Sequence, residues 1–185
     1  MKAKFKYIIL GLIILLATVL RFYKLGSAPR GAQVDEANFG YIAYSLLETG
    51  KDEHSQSWPL VFTGFGDDKL PLQTYLMMPA VKLFGLNNFS IRFVSAVSGS
   101  ALVLVIYLLA KEITQEELPS LLTALIAAFT PWSLLLSRFG YESNLALLIF
   151  STSLLFLFKF IHQRKQKFLW LAVGLMALTW YTYIA

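Results

Sequence analysis

Cysteine is absent from this chain, which excludes a disulfide framework and any thiolate metal site. Charge is scarce as well: Asp, Glu, Lys and Arg make up 15% of the 185 residues, against about 25% in an ordinary soluble domain. No internal repeat and no low-complexity tract is visible. The remainder is apolar, with 57% hydrophobic and 15% aromatic residues and a mean hydropathy of +0.61. That composition excludes a soluble globular domain and points to a membrane protein. The net charge of +5 does not point to nucleic acid, because the basic residues form no stripe with interleaved aromatics and several sit in short segments between apolar runs.

A helix that crosses hydrocarbon satisfies its own backbone hydrogen bonds and needs about 17–25 mostly apolar residues. Five stretches meet or approach that requirement, at about 7–23, 91–110, 119–137, 145–161 and 168–185. The first carries a basic prefix, Lys2, Lys4 and Lys6, and is followed by Gly26-Ser27-Ala28, a weak likeness to a signal-peptide cleavage site. Arg21 and Lys24 lie between the apolar core and that site, so a retained anchor is expected. The chain stops within a hydrophobic run at Tyr183-Ile184-Ala185, and the expectation is an N-terminal fragment of a longer protein.

Positive charge in short loops marks the cytoplasmic side. The three N-terminal lysines, the loop from Lys111 to Leu118 and the loop with Arg164, Lys165 and Lys167 all fall on that side if there are five spans. A crossing by the run from Leu70 to Phe84 would break the alternation, and its shortness and internal Pro79 also favour an interfacial or re-entrant helix. The expected place is the plasma membrane, with a cytoplasmic N-terminus and residues 24–90 outside.

That outside loop is too long for a connector and holds most of the acidic residues. From Asp35-Glu36 onward, Phe39, Ile42, Ala43, Leu46 and Leu47 recur at helical spacing, and Gly50 suits the stop of an amphipathic surface helix. Asp35 stands where an N-cap would, so capping is the structural alternative to a chemical role. Asp67-Asp68-Lys69 precedes a second surface helix expected from Pro71 to about Gly85. Lys69 is either a solvated charge or a headgroup anchor on this reading alone. The later outer loop adds Arg138, Tyr141, Glu142 and Asn144. Arg138 can offer a phosphate two parallel hydrogen bonds or simply snorkel, and Tyr141 can belong with Trp132 to an aromatic belt. Ser95 and Gly99, four residues apart, argue for close helix packing.

The order of these features resembles the N-terminal part of the polyprenyl-phosphate-dependent GT-C glycosyltransferases, in particular the protein O-mannosyltransferases and the aminoarabinose transferases. The likeness rests on Gln33-Val34-Asp35-Glu36-Ala37, on Lys69-Leu70-Pro71-Leu72, where Leu70 replaces the first proline of a Lys-Pro-Pro-Leu pattern, and on Phe84-Gly85-Leu86-Asn87 and Ser90-Ile91-Arg92-Phe93. It implies an all-α polytopic membrane protein, a GT-C-like bundle with interfacial helices in the first outside loop. It further implies an inverting transfer of sugar from a polyprenyl-phosphate donor to a lipid, glycan or protein acceptor at the outer face. By resemblance Asp35 is the general base and Glu36 its catalytic assistant or acceptor-orienting partner. Lys69 binds the donor phosphate with Arg138 as a second candidate. Asp68, Tyr141, Glu142 and Asn144 are candidates for substrate hydroxyls. No cofactor is required. By residue type alone, Asp67, Asp68 and Glu142 are oxygen ligands that suit a divalent cation, although carboxylates in a surface loop are more often simply solvated. The expected partners are the lipid-linked donor and membrane lipids, with no nucleic acid.

A transporter or a noncatalytic scaffold is the rival class. Transporters place ionisable groups or broken helices near the bilayer midplane, whereas Arg92, Arg138 and Lys159 lie near span ends. The topology is directly testable because there is no native cysteine. Cysteines placed at Ser57 and Gln166 are expected to differ in intact cells, the first reacting with an impermeant thiol reagent and the second not. Labelling at position 166 alone would refute the arrangement.

Overall fold

The computed structural model describes residues 3–64 and 67–183. In chain order the elements are α1 (Ala3–Phe22), α2 (Val34–Thr49), β1 (Phe62–Gly64), β2 (Asp67–Lys69), α3 (Leu72–Phe84), α4 (Asn88–Thr114), α5 (Glu117–Phe129), α6 (Pro131–Leu136), α7 (Glu142–Gln163) and α8 (Gln166–Trp180). Among the described residues, three helices are long and apolar enough to cross a membrane, at Lys4–Phe22, Asn88–Thr114 and Glu142–Gln163. The chain is thus an all-α multi-pass membrane protein with one small hairpin.

α4 is the central post. Asn87 starts it by accepting from the amides of Phe89 at 2.9 Å and Ser90 at 3.1 Å, while Ser90 Oγ accepts from the Asn87 amide at 3.2 Å. One half of α4 packs Val103 and Tyr107 against Leu10, Ile13 and Ala17 of α1 and Leu121, Ala124 and Ala128 of α5. Its other half packs Ile91 and Val94 against Phe39 and Ala43 of α2, Met77 and Val81 of α3, and Leu145 and Ile149 of α7. Small residues permit the crossing with α7. A Cβ on Gly99 would lie 2.4 Å from Ser137 Cβ and 2.9 Å from Arg21 Nε. Asn144 donates across the same gap to Ser95 O at 2.8 Å. α8 returns along α7, where Ser153 Oγ donates to Ala172 O at 2.8 Å.

The stretch expected as one span over 119–137 is two helices. α5 has 13 residues, about 20 Å of helix, and breaks at Thr130 before Pro131. Pro131 has no N–H to offer the Ala127 carbonyl. Arg21 of α1 fills the gap: it is fully buried and donates to Ala127 O at 3.4 Å, Ala128 O at 3.2 Å and Ser133 Oγ at 3.0 Å. The fourth expected span starts three residues earlier than anticipated, at Glu142. α8 covers the expected fifth span up to Trp180, and residues 184–185 of that span lie outside the described residues.

The surface helices lie near their expected places. α2 ends at Gly50, whose φ of 72° is the left-handed cap conformation, and α3 runs to Phe84 with Pro79 inside it. The hairpin between them was not expected. β1 and β2 pair antiparallel with Phe62 opposite Lys69, and Phe62 is buried with Ile42 and Leu46 of α2. That contact fastens the hairpin to α2.

Glycine positions give a paired test of the packing. Gly99→Ala overpacks the α4–α6–α7 crossing and is expected to cost about 1–3 kcal/mol. Gly11→Ala meets nothing within 4 Å and should be neutral or stabilising by up to about 1 kcal/mol through helix propensity. Melting temperatures in detergent should therefore separate the two variants, and equal melting would contradict the close crossing.

Candidate active site

Four neighbouring residues set up the site. α2 begins at Val34, so Gln33 occupies the cap position and Asp35 lies in the first turn. The reach back to the cap is made by Glu36, which accepts from the Gln33 amide at 2.9 Å. The capping alternative for Asp35 therefore gives way to a capping Glu36. The carboxylate of Asp35 meets Lys69 of β2 instead, with Nζ 2.6 Å from Oδ1. The pair joins residues 34 positions apart. Its two ends differ in exposure: the Asp35 side chain is 48% exposed and that of Lys69 only 7%. The ammonium also lies 5.2 Å from the centroid of the buried Phe39 ring, an attraction that further fixes it.

Glu36 is fully buried and saturated. Oε1 accepts from Arg92 Nε at 2.9 Å and from the Gly140 amide at 2.7 Å. Oε2 accepts from Arg92 Nη2 at 3.2 Å besides the Gln33 amide. Four donors fill the lone-pair directions of a carboxylate. The sequence suggested that Glu36 assists Asp35 or orients the acceptor; in the structure its oxygens are occupied by Arg92, Gly140 and Gln33. Arg92 is equally buried, and its remaining donors reach the carbonyls of Leu25, Pro29 and Gly31 at 3.2, 2.8 and 2.5 Å.

Arg138 is engaged in the same manner. Its guanidinium donates to the carbonyls of Leu20, Arg21, Tyr23 and Ala28 at 2.6, 3.1, 2.8 and 2.7 Å. The first two are end-of-helix carbonyls of α1 that have no intrahelical donor. Burial and the nearby Arg92 charge lower the Arg138 pKa from its usual value. A second phosphate ligand was expected here, and the fork is committed to backbone instead.

The remaining candidates divide. Tyr141 borders the centre: its phenol pKa is pushed up by burial first and then by the charges of Glu36, Asp35 and Glu142, and its ring stacks on Phe139 with centroids 5.6 Å apart. Glu142 opens α7, where a carboxylate complements the helix dipole. Asp68 accepts from Thr63 Oγ1 across the hairpin at 2.9 Å. Asn144 is buried in the α4–α7 crossing. Sequence reasoning missed Gln73 and Asn38. Gln73 is fully buried beneath the site and donates to Ser95 Oγ at 3.3 Å and Gly140 O at 3.4 Å. Asn38 donates to both oxygens of Glu53, at 3.0 and 3.2 Å. A polar residue beside the apolar face of α2 was the available signal for Asn38; nothing local signals its partner.

An apolar cavity of about 340 Å3 opens among α3, α4 and α7, walled by Leu76, Pro79, Phe93, Val97, Leu145 and Leu148 among others. Among the described residues, no three His, Asp or Glu side chains are grouped as metal ligands.

Comparison with known proteins follows the same lines. Over 163 residues the chain is 32% identical to the undecaprenyl phosphate-alpha-4-amino-4-deoxy-L-arabinose arabinosyl transferase 1 of Pseudomonas fluorescens, covering 83% of this chain and 28% of that protein. Over 114 residues it is 32% identical to the polyprenol-phosphate-mannose–protein mannosyltransferase of Mycobacterium tuberculosis, covering 60% of this chain and 21% of that one. The chain thus spans less than a third of the length of these relatives. No solved structure matches. Residues 68–185, more than half of the chain, match the family described as dolichyl-phosphate-mannose-protein mannosyltransferase, a match that includes Lys69 and begins after Asp35. The chain belongs to the dolichyl-phosphate-mannose-protein mannosyltransferase family.

Proposed function

We propose that this chain supplies the general base and the phosphate-binding cation of an inverting membrane glycosyltransferase, which moves a sugar from a polyprenyl phosphate to an acceptor hydroxyl at the outer face of the plasma membrane. The observation that carries the reading is the Asp35–Lys69 pair, one half-exposed carboxylate held 2.6 Å from one nearly buried ammonium. Family membership and the names of the relatives support the substrate class. The charge alternation supports five crossings with a cytoplasmic N-terminus and residues 24–90 outside.

The chemistry asks little more of the protein. Phosphate is already a competent leaving group, so catalysis comes from activating the acceptor and stabilising the departing charge. The acceptor oxygen forms a bond to the anomeric carbon as the bond from that carbon to the phosphate oxygen breaks. The electron pair leaves on the phosphate, the acceptor proton goes to Asp35, and in-line attack inverts the anomeric centre. Lys69 has three N–H donors and uses one on Asp35, so the same ammonium can hold the base in place and receive a phosphate oxygen. The apolar cavity among α3, α4 and α7 suits the isoprene units of the polyprenyl chain next to the phosphate.

Two substitutions in the full-length protein test this assignment. Asp35→Asn keeps shape but not basicity, so sugar transfer should fall by about 10²–10⁴-fold with membrane insertion unchanged. Turnover within about tenfold of the parent, a barrier change of about 1.4 kcal/mol, would remove Asp35 as the base. Lys69→Met keeps much of the apolar stem and loses the charge. It should raise the donor KM and lower kcat while the acceptor KM changes less, and Lys69→Arg should recover part of the loss. Unaltered donor kinetics in Lys69→Met would show that the phosphate is held elsewhere.

A further inference from the structure

The Asp35–Lys69 pair joins two separate elements, yet both sides are tied within a few residues to one backbone position, Gly140. On one side the Gly140 amide donates to Oε1 of Glu36, the residue next to Asp35, at 2.7 Å. On the other, its carbonyl accepts from Nε2 of Gln73, four residues after Lys69, at 3.4 Å. The link from Lys69 to Gln73 is short and stiff. Leu70 and Pro71 are both buried, and Gln73 lies in the first turn of α3.

Gly140 is itself held in place. A Cβ there would lie 2.9 Å from the Ile91 carbonyl oxygen, so the chain passes α4 at a distance that suits glycine. One turn further along α4, Ser95 Oγ accepts from Gln73 Nε2 at 3.3 Å and donates to the Tyr141 carbonyl at 3.1 Å. The Gln73 amide is thus shared between α4 and the segment 140–141. Its buried Oε1 has no partner, and reversing the amide would turn that oxygen toward the Gly140 carbonyl. Methionine, of similar length, would fill the position with no unpaired acceptor of its own, at the loss of a donor to one carbonyl. The two residues are therefore close in stability, and what distinguishes the amide is where it holds the chain.

We propose that Gln73 is a positioning residue: by tying the Lys69 segment to Gly140, whose amide already holds the neighbour of Asp35, it sets the reach of the ammonium to the carboxylate and to a donor phosphate. The catalytic meaning of this linkage rests on the roles assigned to Asp35 and Lys69 above. The linkage itself does not.

Acetylation of Lys69 tests the linkage without turnover. Full-length protein in nanodiscs is treated briefly with an amine-selective acetylating reagent, and each lysine is read by peptide mass spectrometry. In the parent, Lys69 should react slowly because it is nearly buried and paired; Lys82, exposed on α3, is the internal control. Gln73→Met and Gln73→Leu should raise the Lys69 rate about two- to tenfold, the worth of one hydrogen bond expressed as a ratio, with Lys82 unchanged and melting close to that of the parent. An unchanged Lys69 rate, a rise shared by Lys82, or early melting of both variants would overturn the proposal. In sugar transfer, Gln73→Met should lower donor kcat/KM by a similar factor. That loss should vanish in a Lys69→Met background, whereas a purely structural role would lower both backgrounds alike. Equal losses in the two backgrounds, or no loss where Lys69→Met has one, would likewise overturn it. If Lys69→Met leaves transfer normal while Gln73→Met still frees Lys69 for acetylation, the phosphate assignment fails and the linkage stands.

Discussion

The buried pair of Glu36 and Arg92 is the constraint on which the end of the bundle that carries α2 and the hairpin depends. Neither side chain reaches solvent, and together they join α2, α4, the segment before α2 and the amide of Gly140. Removing one partner of such a pair leaves a buried charge and costs about 3–5 kcal/mol. Its consequence for the site is angular. Successive residues on a helix project about 100° apart, so fixing Glu36 inward turns Asp35 outward, toward the hairpin that carries Lys69.

A guanidinium solves the same problem three times at this end of the bundle. Arg21 supports the helix break at Pro131, Arg92 gathers residues 25–31, and Arg138 covers the last carbonyls of α1. In each case a rigid planar donor set reaches carbonyls at helix ends or in the connecting segments. With these three guanidiniums committed largely to backbone, the cation paired with the half-exposed Asp35 carboxylate is Lys69.

Much of this was legible in the sequence, to a depth set by distance along the chain. Apolar periodicity placed the helices, Gly50 the stop of α2, and Asn87 and Ser90 lay within a stretch whose likeness to known enzymes was readable. Asp35 and Lys69 were both singled out, yet their contact was not, because nothing local records a pairing across 34 residues. Glu36 and Arg138 were read by residue type as chemical groups; their partners lie 56 and more than 100 residues away, and only packing shows that the Glu36 oxygens and the two Nη groups of Arg138 are already engaged. The hairpin escaped notice because three-residue strands carry too little alternation to register. The break in the third hydrophobic stretch had a local signal in Pro131, which the apolar run around it obscured.

The link between α1 and α2 also bears on the order of assembly. The carbonyls at Leu20 and Ala28 find their donor in Arg138, 118 and 110 residues later in the chain. During synthesis these groups are made long before that arginine exists, and water must serve them until α6 and α7 arrive. The first part of the site to be made is therefore among the last to be locked in place, and the geometry of Asp35 is completed only when helices made later have closed over it.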